Sequence, residues 1–474
     1  MTSDDVTEAA VVVVGMGPVG ALLAALLGGR GVATVVIEPQ ELPYPKPRAA
    51  VLDNEALRAL GLVPGLPPAE EWATPVAASG VIGPDQRPLL MIGQNGRAYG
   101  HPALARLDQP ALETGLRAAA EATGSVRVLT GHSVTGVEQR DGTVTAFLDD
   151  GRRVTGQWLV GCDGTGSTVR TAAGIGFTGT TYPQPWLVVD AVGGEGDGGP
   201  SVAFVADETR PCVVMSQPGR WRWEWMLLPG EDPGEMAADE TVRRLIADWT
   251  EPAGLRIERA TVFTFHARMA DRWRAGRVLL AGDAAHAMPP FAGAGLGTGI
   301  RDAVTLAWRL ADAVAGDDSA LDGYERDRRP DVERTTALAL RIGRVVQSRN
   351  RTVMRLTRGV LRTVAALPGI GRLGSRPPVV RRALPNPAVR VAGGAPTTLD
   401  EVIGYRWAYL GHGCDPRDVT DGIPDGAVLL ALDHPEPRPG CVPITDLDGL
   451  LSGRAGTVTV ARPDRFPHTT IKRS

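Results

Sequence analysis

The run VVVVGMGPVGALLAALL at 11–27, followed by TVVIE at 34–38, reads as strand, glycine turn, helix and strand, and this βαβ unit decides the fold. Gly15, Gly17 and Gly20 form GxGxxG where strand gives way to helix, the context that makes the pattern informative. Gly15 permits the tight turn, Gly17 lets a pyrophosphate approach the backbone, and Gly20 lets the helix pack closely. The helix N-terminus supplies N–H donors and partial positive charge. Glu38 ends the second strand where a carboxylate accepts from a ribose hydroxyl, which suits FAD or NAD rather than NADP.

The chain has 474 residues, a formal net charge of −4 and a pI near 6.0. Its length predicts about three domains. The charge balance lacks the basic field that nucleic acid or an anionic membrane surface requires, so a small-molecule partner is expected. Cys162, Cys212, Cys414 and Cys441 are widely spaced without a CxxC pair, which suggests free thiols and neither a metal site nor a redox dithiol. The opening MTSDDVTEAA is acidic where a signal peptide is basic, and a cytoplasmic location without a membrane span is expected.

Residues 79–100 carry short strands around the turn GPDQRP, and QPALETGLRAAAEA at 109–122 reads as helix. A second strand-rich stretch runs from about 180 to 270 and contains the flexible loop GGEGDGGP at 193–200. In RWRWEWMLL, Trp221, Trp223 and Trp225 share one face while Arg220, Arg222 and Glu224 take the other. The aromatic face suits a sheet core, with a substrate-facing tryptophan as the alternative. Helices dominate from about 302 to 364, and their arginine-rich later part suits a solvated face, with membrane contact as the alternative. A Pro/Gly/Arg-rich linker at 367–395 leads to a last segment of strands and turns.

Downstream, RVLLAGDAAH at 277–286 reads as a buried strand ending in Gly282 and Asp283. A carboxylate there can accept from a polyol hydroxyl, which FAD offers in its ribityl chain and NAD does not. PPFAGAGLGTGIRDA at 289–303 then reads as a Pro-Pro turn and glycine loop leading into the helix VTLAWRLADAVAG. N–H groups from about Leu296 to Gly299 suit the negative charge of a reduced flavin. His286, beside the strand end, reads as structural rather than as a catalytic base. GTGSTV at 164 and GAGLGTG at 293 lack the strand, turn, helix and acidic context of a second dinucleotide site, so nicotinamide is expected to bind transiently.

These motifs resemble the single-component FAD-dependent aromatic hydroxylases typified by para-hydroxybenzoate hydroxylase, and most closely the 3-(3-hydroxyphenyl)propionate hydroxylase type and the hydroxylases of aromatic polyketides. GMGPVG with Glu38 resembles the first FAD motif, GCDGTGSTVR at 161–170 the DG motif and AGDAAHAMPP at 281–290 the GD motif. PRAAVLDNEALRALGL at 47–62, QPALETGLR at 109–117 and GIRDAVTLAWRL at 299–310 extend the likeness over about 10–330. It implies an α/β fold: a Rossmann-like, glutathione-reductase-type FAD domain (1–78, 101–180 and 270–365) interrupted by a β-sheet substrate domain (79–100 and 181–269). A shortened thioredoxin-like domain (385–474), for packing or a homodimer, would complete it. It implies that Gly15, Gly17, Pro18, Gly20 and Glu38 hold the ADP half of FAD. Gln109 would contact the ribityl or phosphate region, Asp283 the ribityl hydroxyls, and Leu296 and Gly297 the flavin through backbone N–H groups. Arg48 would serve the pyrophosphate and NAD(P)H docking, Asp163 and Arg170 both cofactors, and Pro289 and Pro290 the space where O2 reacts. Arg170 as an anchor of its own helix is the alternative.

The implied chemistry is reduction of FAD by NAD(P)H, addition of O2 at flavin C4a, and transfer of the distal hydroperoxide oxygen to an electron-rich ring, so the expected substrate is a small phenol or polyketide-like aromatic. Baeyer-Villiger insertion or epoxidation, and a flavin-binding protein without turnover, are the alternatives. Two departures stand out: GAGLGTG replaces the relatives' usual GQGMNTG, and the tail between LDEVIGYRWAYLG (399–411) and VARPDRFPH (460–468) is short.

Overall fold

The computed structural model describes residues 6–46, 48–194, 201–217, 219–368, 383–434, 436–465 and 469–472. Residues 1–5 of the acidic N-terminus, 195–200 of the glycine-rich loop, 369–382 of the linker and 466–468 of the last quoted stretch lie outside the described residues.

The strand Val6–Val14 lies inside a parallel sheet, as a β-strand with Val11, Val12 and Val13 wholly buried must. On one side it pairs with Thr34–Glu38 and, beyond it, Val126–Thr130; on the other with Arg153–Gly161 and, beyond it, Val278–Leu280. Strand order therefore reverses at Val6–Val14, and the reversal opens a crevice at the carboxyl ends of Val6–Val14 and Arg153–Gly161. The antiparallel hairpin Val134–Arg140 and Thr143–Leu148 occupies only the first half of Arg153–Gly161, leaving residues 159–161 free to pair with Val278–Leu280. Helix Pro18–Gly28, apolar nearly all round, is buried between this sheet and the helices Gln109–Ala122 and Gly295–Val314.

A second sheet of seven strands runs in the order 255–263, 186–193, 220–226, 212–217, 202–205, 78–82 and 88–93. Strand Val202–Val205 pairs in parallel with Ala78–Ile82, so two stretches more than a hundred residues apart share one sheet. Trp221, Trp223 and Trp225 stack at 5.1 and 5.9 Å between ring centroids and cluster with Val242 and Ile246 of helix Asp239–Ile246. The aromatic face is thus the outer core of this sheet. The opposite face, bearing Trp186, Val213, Met215 and Met226, packs against Phe291.

The stretch GAGLGTG differs from its reading as a loop: helix begins at Gly295 and runs to Val314. Close packing explains why glycines are tolerated there. A Cβ on Gly299 would lie 2.7 Å from Val19 Cγ2 and 3.3 Å from Gly282 Cα. Tertiary contact overrides the roughly 1 kcal/mol per residue by which glycine disfavours helix.

The C-terminal residues form a third sheet, in the order 396–398, 388–391, 441–446, 428–432, 408–412, 457–461 and 469–472, whose strands 408–412, 428–432 and 441–446 are parallel. It is tied to the first unit through buried polar contacts. Arg58 donates from Nε to Asp400 Oδ2 (2.6 Å) and from Nη1 to the Leu384 carbonyl (2.7 Å), and Trp308 Nε1 donates to Asp464 (3.2 Å). The four cysteines are unpaired thiols. Among the described residues no helix is long and apolar enough to cross a membrane.

Candidate functional site

The glycine loop has the geometry that its spacing predicts. Gly15 adopts φ +95°, and a Cβ on it would lie 2.5 Å from the Cys162 carbonyl oxygen. A Cβ on Gly20 would lie 2.0 Å from the Gly15 carbonyl oxygen, whereas one on Gly17 would meet nothing within 4 Å. The loop is therefore packed on its inner side and open at Gly17. Gly17 caps the helix without a side-chain hydrogen bond, and Pro18 occupies the first turn, where its missing N–H costs nothing. Glu38, 8 % exposed, accepts from the Met16 N–H at 2.6 Å through Oε2 and from the Gln40 N–H at 3.0 Å through Oε1. Its carboxylate holds the loop and keeps lone pairs for a further donor.

Asp163 caps the turn after Arg153–Gly161, accepting from Ser167 Oγ (2.5 Å) and the Val169 N–H (3.1 Å). Arg170 donates to the Ala284 and Thr165 carbonyls (3.0 and 2.8 Å) and lies over the Phe177 ring at 3.9 Å. It thus ties the DG and GD loops together, a role broader than the anchoring of its own helix. Asp283 is different: its carboxylate is open to the crevice and has no hydrogen-bond partner among the described residues. Desolvation by the surrounding protein raises its pKa, against the charges of His286 and Arg48.

Behind Asp283 lies a buried polar cage. Asp302, wholly buried, accepts from the Gly282 N–H (3.1 Å), lies 2.5 Å from His286 Nε2 and accepts from Arg328 Nε (2.8 Å). Arg328 also donates to Asp331 and to the Thr298 carbonyl (2.8 and 3.2 Å). His286 therefore orients the GD loop, as its position beside the strand end suggests. The cage sets the N-terminus of helix Gly295–Val314, where Ala294 gives no side-chain cap; Thr298 N–H returns to the Ala294 carbonyl, so the outward donors are those of Gly295, Leu296 and Gly297. Arg301 fastens this turn to 47–62 through Asp53 (2.5 Å) and Glu55 (2.9 Å).

Arg48 is exposed, with its guanidinium 5.2 Å over the Tyr44 ring. Its backbone is held from below: Gln109 Oε1 accepts from the Arg48 and Ala49 N–H groups (3.1 and 2.7 Å), and Gln109 Nε2 donates to Glu113 (2.6 Å). The visible work of Gln109 is thus to shape the segment that carries Arg48. Pro289 is buried and Pro290 exposed; together they lead into a turn that drives Phe291 inward. Phe291 is the hub of an aromatic cluster, with ring centroids 6.0, 5.5 and 5.9 Å from those of Tyr182, Trp186 and Phe265. Next to this apolar region, Asp190 pairs with Arg222 (2.6 Å) and Arg259 (2.7 Å). A cavity of about 390 Å³ lies alongside, lined by Ala49, Ala50, Trp72, Arg106, Asp190 and Arg222 among others.

The three glycine-bearing motifs and Arg48 are thus brought around one crevice. An open Gly17, an unpartnered carboxylate at Asp283 and an uncapped helix N-terminus fit the pyrophosphate, ribityl chain and flavin of FAD in turn. Asp302, Arg328, Arg301 and Phe291 had no place in the motif reading. Arg301 and Asp302 show in the sequence only as charges near the start of a largely apolar helix, and Arg328 does not stand out among the many charges of helix Asp322–Val346.

Residues 8–339 match the family described as FAD binding domain. The 3-(3-hydroxy-phenyl)propionate/3-hydroxycinnamic acid hydroxylase of Klebsiella pneumoniae is 32 % identical, over 97 % of this chain and 91 % of that protein. The solved anhydrotetracycline hydroxylase OxyS of Streptomyces rimosus is 26 % identical with a TM-score of 0.73, covering 98 % of this chain and 96 % of that one. The p-nitrophenol 4-monooxygenase PnpA of Pseudomonas putida DLL-E4 is 26 % identical with a TM-score of 0.69, covering 78 % and 96 %. A glycine loop, a partnerless Asp283 and an open helix start, arranged around one crevice in a chain matched along this length, mean that the chain belongs to the FAD binding domain family and, within it, to the FAD-dependent aromatic monooxygenases.

Proposed function

We propose that the protein hydroxylates a phenolic or polyketide-like aromatic molecule, using NAD(P)H as reductant and O2 as the source of the oxygen atom. The observation that carries this reading is the cluster of Phe291, Tyr182, Trp186 and Phe265 beside the open N-terminus of helix Gly295–Val314. Bound FAD supplies the redox and oxygen-transfer chemistry. The chain supplies the rest. The aromatic cluster, with Val213, Met215 and Met226, excludes water and stacks a ring, and the Gly295, Leu296 and Gly297 N–H groups stabilise negative charge beside it. Arg48, exposed at the mouth, is placed to meet the anionic dinucleotide, and Pro289 and Pro290 shape the space between crevice and pocket.

In this reading 1–78, 101–180 and 270–365 are the FAD domain and 79–100 with 181–269 the substrate domain. Residues 385–474 are a shortened thioredoxin-like domain; its three adjacent parallel strands flanked by antiparallel ones support this. A cytoplasmic location accords with four unpaired thiols.

The test is NAD(P)H oxidation and O2 uptake by purified holoenzyme across simple phenols, 3-(3-hydroxyphenyl)propionate and fused polyphenols, with products identified by mass and NMR. A ring hydroxyl is expected. Oxygen inserted in a ring or ester would replace hydroxylation by the Baeyer-Villiger reading, and a yellow protein that NAD(P)H never bleaches would end the enzymatic one.

A further inference from the structure

The net charge of −4 conceals a local surplus of the opposite sign. Residues 341–362 hold seven arginines and no lysine, aspartate or glutamate. Six of the seven are exposed, and among the described residues Arg358 alone is ion-paired, to Glu208 at 2.8 Å. Exposed apolar side chains gather in the same place: of eleven exposed large hydrophobic residues among those described, six fall within 338–367. Helix Arg351–Ala365 divides its surface into three stripes. Met354 and Leu361, two turns apart, pack with Leu89 and Ala206 of the substrate-side sheet region. Arg351, Arg355, Arg358 and Arg362, spaced by four, three and four, form a second stripe. Val353, Leu356 and Val360, spaced by three and four, form the third, and they are 44, 69 and 52 % exposed. A packed helix buries its apolar stripe; this one buries a first and turns a second to solvent. Asn350 caps it by accepting from the Thr352 and Val353 N–H groups (2.9 and 3.1 Å), so the outward stripe sits on a helix already formed.

We propose that helix Arg351–Ala365 docks this protein on an anionic phospholipid surface, with Val353, Leu356 and Val360 entering the boundary between headgroups and acyl chains and the arginines of 341–362 meeting lipid phosphates. At 15 residues the helix is too short to span a bilayer. An apolar stripe beside an arginine-rich, acid-free polar face is the pattern of a helix that lies in such a surface. Charge selects lipid over the other coverings of this face. A two-fold contact between copies would set the patch against itself, arginine against arginine. Residues 369–382 of the chain add four arginines and no acid, so they bring no countercharge. An anionic bilayer supplies both the phosphates and the apolar layer that the two outward stripes require.

The test is co-sedimentation of purified holoprotein with vesicles of phosphatidylglycerol and phosphatidylcholine in equal parts, set against vesicles of phosphatidylcholine alone. Binding to the anionic vesicles is expected, weakening as salt rises through about 0.15 M, with little binding to the neutral ones. Arg355→Gln with Arg362→Gln is expected to weaken it about 10-fold or more. Leu356→Ser with Val360→Ser is expected to weaken it by a similar factor through lost apolar burial. All four side chains are exposed, so wild-type FAD content and melting temperature are expected in both variants and serve as the check on folding. No binding to the anionic vesicles overturns the proposal. Equal binding by wild type and the serine double variant also overturns it, since that is adsorption by charge alone. Concentration-dependent dimers that the serine double variant abolishes, without vesicle binding, overturn it in favour of a second copy of the chain.

Discussion

His286 Nε2 and Asp302 Oδ2 lie 2.5 Å apart with both side chains buried, and the same Asp302 oxygen accepts from the Gly282 N–H at 3.1 Å. One carboxylate therefore sets the residue that precedes Asp283, while its other oxygen receives Arg328. Burial pushes the Asp302 pKa up, but His286 and Arg328 outweigh it and hold the group below the ordinary carboxylate value. Since the folded pKa is depressed, the stabilisation is present above the unfolded pKa and is lost as pH falls through the folded one. Asp302→Ala removes one of the two carboxylates that face the buried Arg328, leaving Asp331 and the Thr298 carbonyl, and a loss of about 3 kcal/mol in unfolding free energy is expected. Denaturant midpoints of apo and holo protein check it, and FAD retention should fall in parallel.

Asp283→Asn separates cofactor binding from stability. The carboxylate has no hydrogen-bond partner among the described residues, and its pKa is raised by desolvation, so ionisation disfavours the folded apo protein and stability is lost as pH rises through the unfolded and then the folded pKa. Apo Asp283→Asn is thus expected to melt no lower than wild type at neutral pH. Its FAD affinity should drop about 10- to 100-fold, the loss of a hydrogen bond to a charged acceptor worth about 1.5–3 kcal/mol. Calorimetric titration with FAD beside apo melting curves tests both halves.

Two alanine substitutions three residues apart, Gly17→Ala and Gly20→Ala, should behave oppositely. At Gly20 the new methyl strikes the Gly15 carbonyl at 2.0 Å, so the apo fold is expected to lose at least about 1–3 kcal/mol. At Gly17 it meets open space in the protein but takes the place where a pyrophosphate approaches. Wild-type apo stability with weakened FAD binding is expected there. Circular-dichroism melts and flavin-fluorescence titrations distinguish the two.

Asp400 joins the C-terminal sheet to the first unit through Arg58 at 2.6 Å and is held within its own unit by Arg465 at 2.8 Å. Burial raises its pKa, yet the two guanidinium groups bring it down to about 2. The contact is therefore complete above the unfolded carboxylate pKa and is lost as pH falls toward about 2. Asp400→Ala should expose the C-terminal sheet to limited proteolysis at neutral pH while FAD remains bound; unchanged cleavage would show that the Trp308 bond to Asp464 and the Tyr405 hydroxyl's bond to the Val304 carbonyl suffice to hold it.

The FAD crevice was legible because its demands are local. A left-handed φ at Gly15, a close approach at Gly20 and a carboxylate at a strand end each leave a mark within a few residues. The helical character of 109–122 was legible for the same reason, while GAGLGTG misled because long-range packing on Val19 and Gly282 outweighs local glycine preference. No local signal could join Asp302 to Arg328, or Val202–Val205 to Ala78–Ile82, since those partners meet only when distant segments pack.

RWRWEW shows the division within six residues. Alternation alone determined that the three tryptophans lie on one face and Arg222 and Glu224 on the other, because successive side chains in a strand point opposite ways. Which face meets Phe291 was decided by tertiary structure: helix Asp239–Ile246 covers the tryptophans, and Phe291 packs on the opposite face with Trp186, Val213, Met215 and Met226.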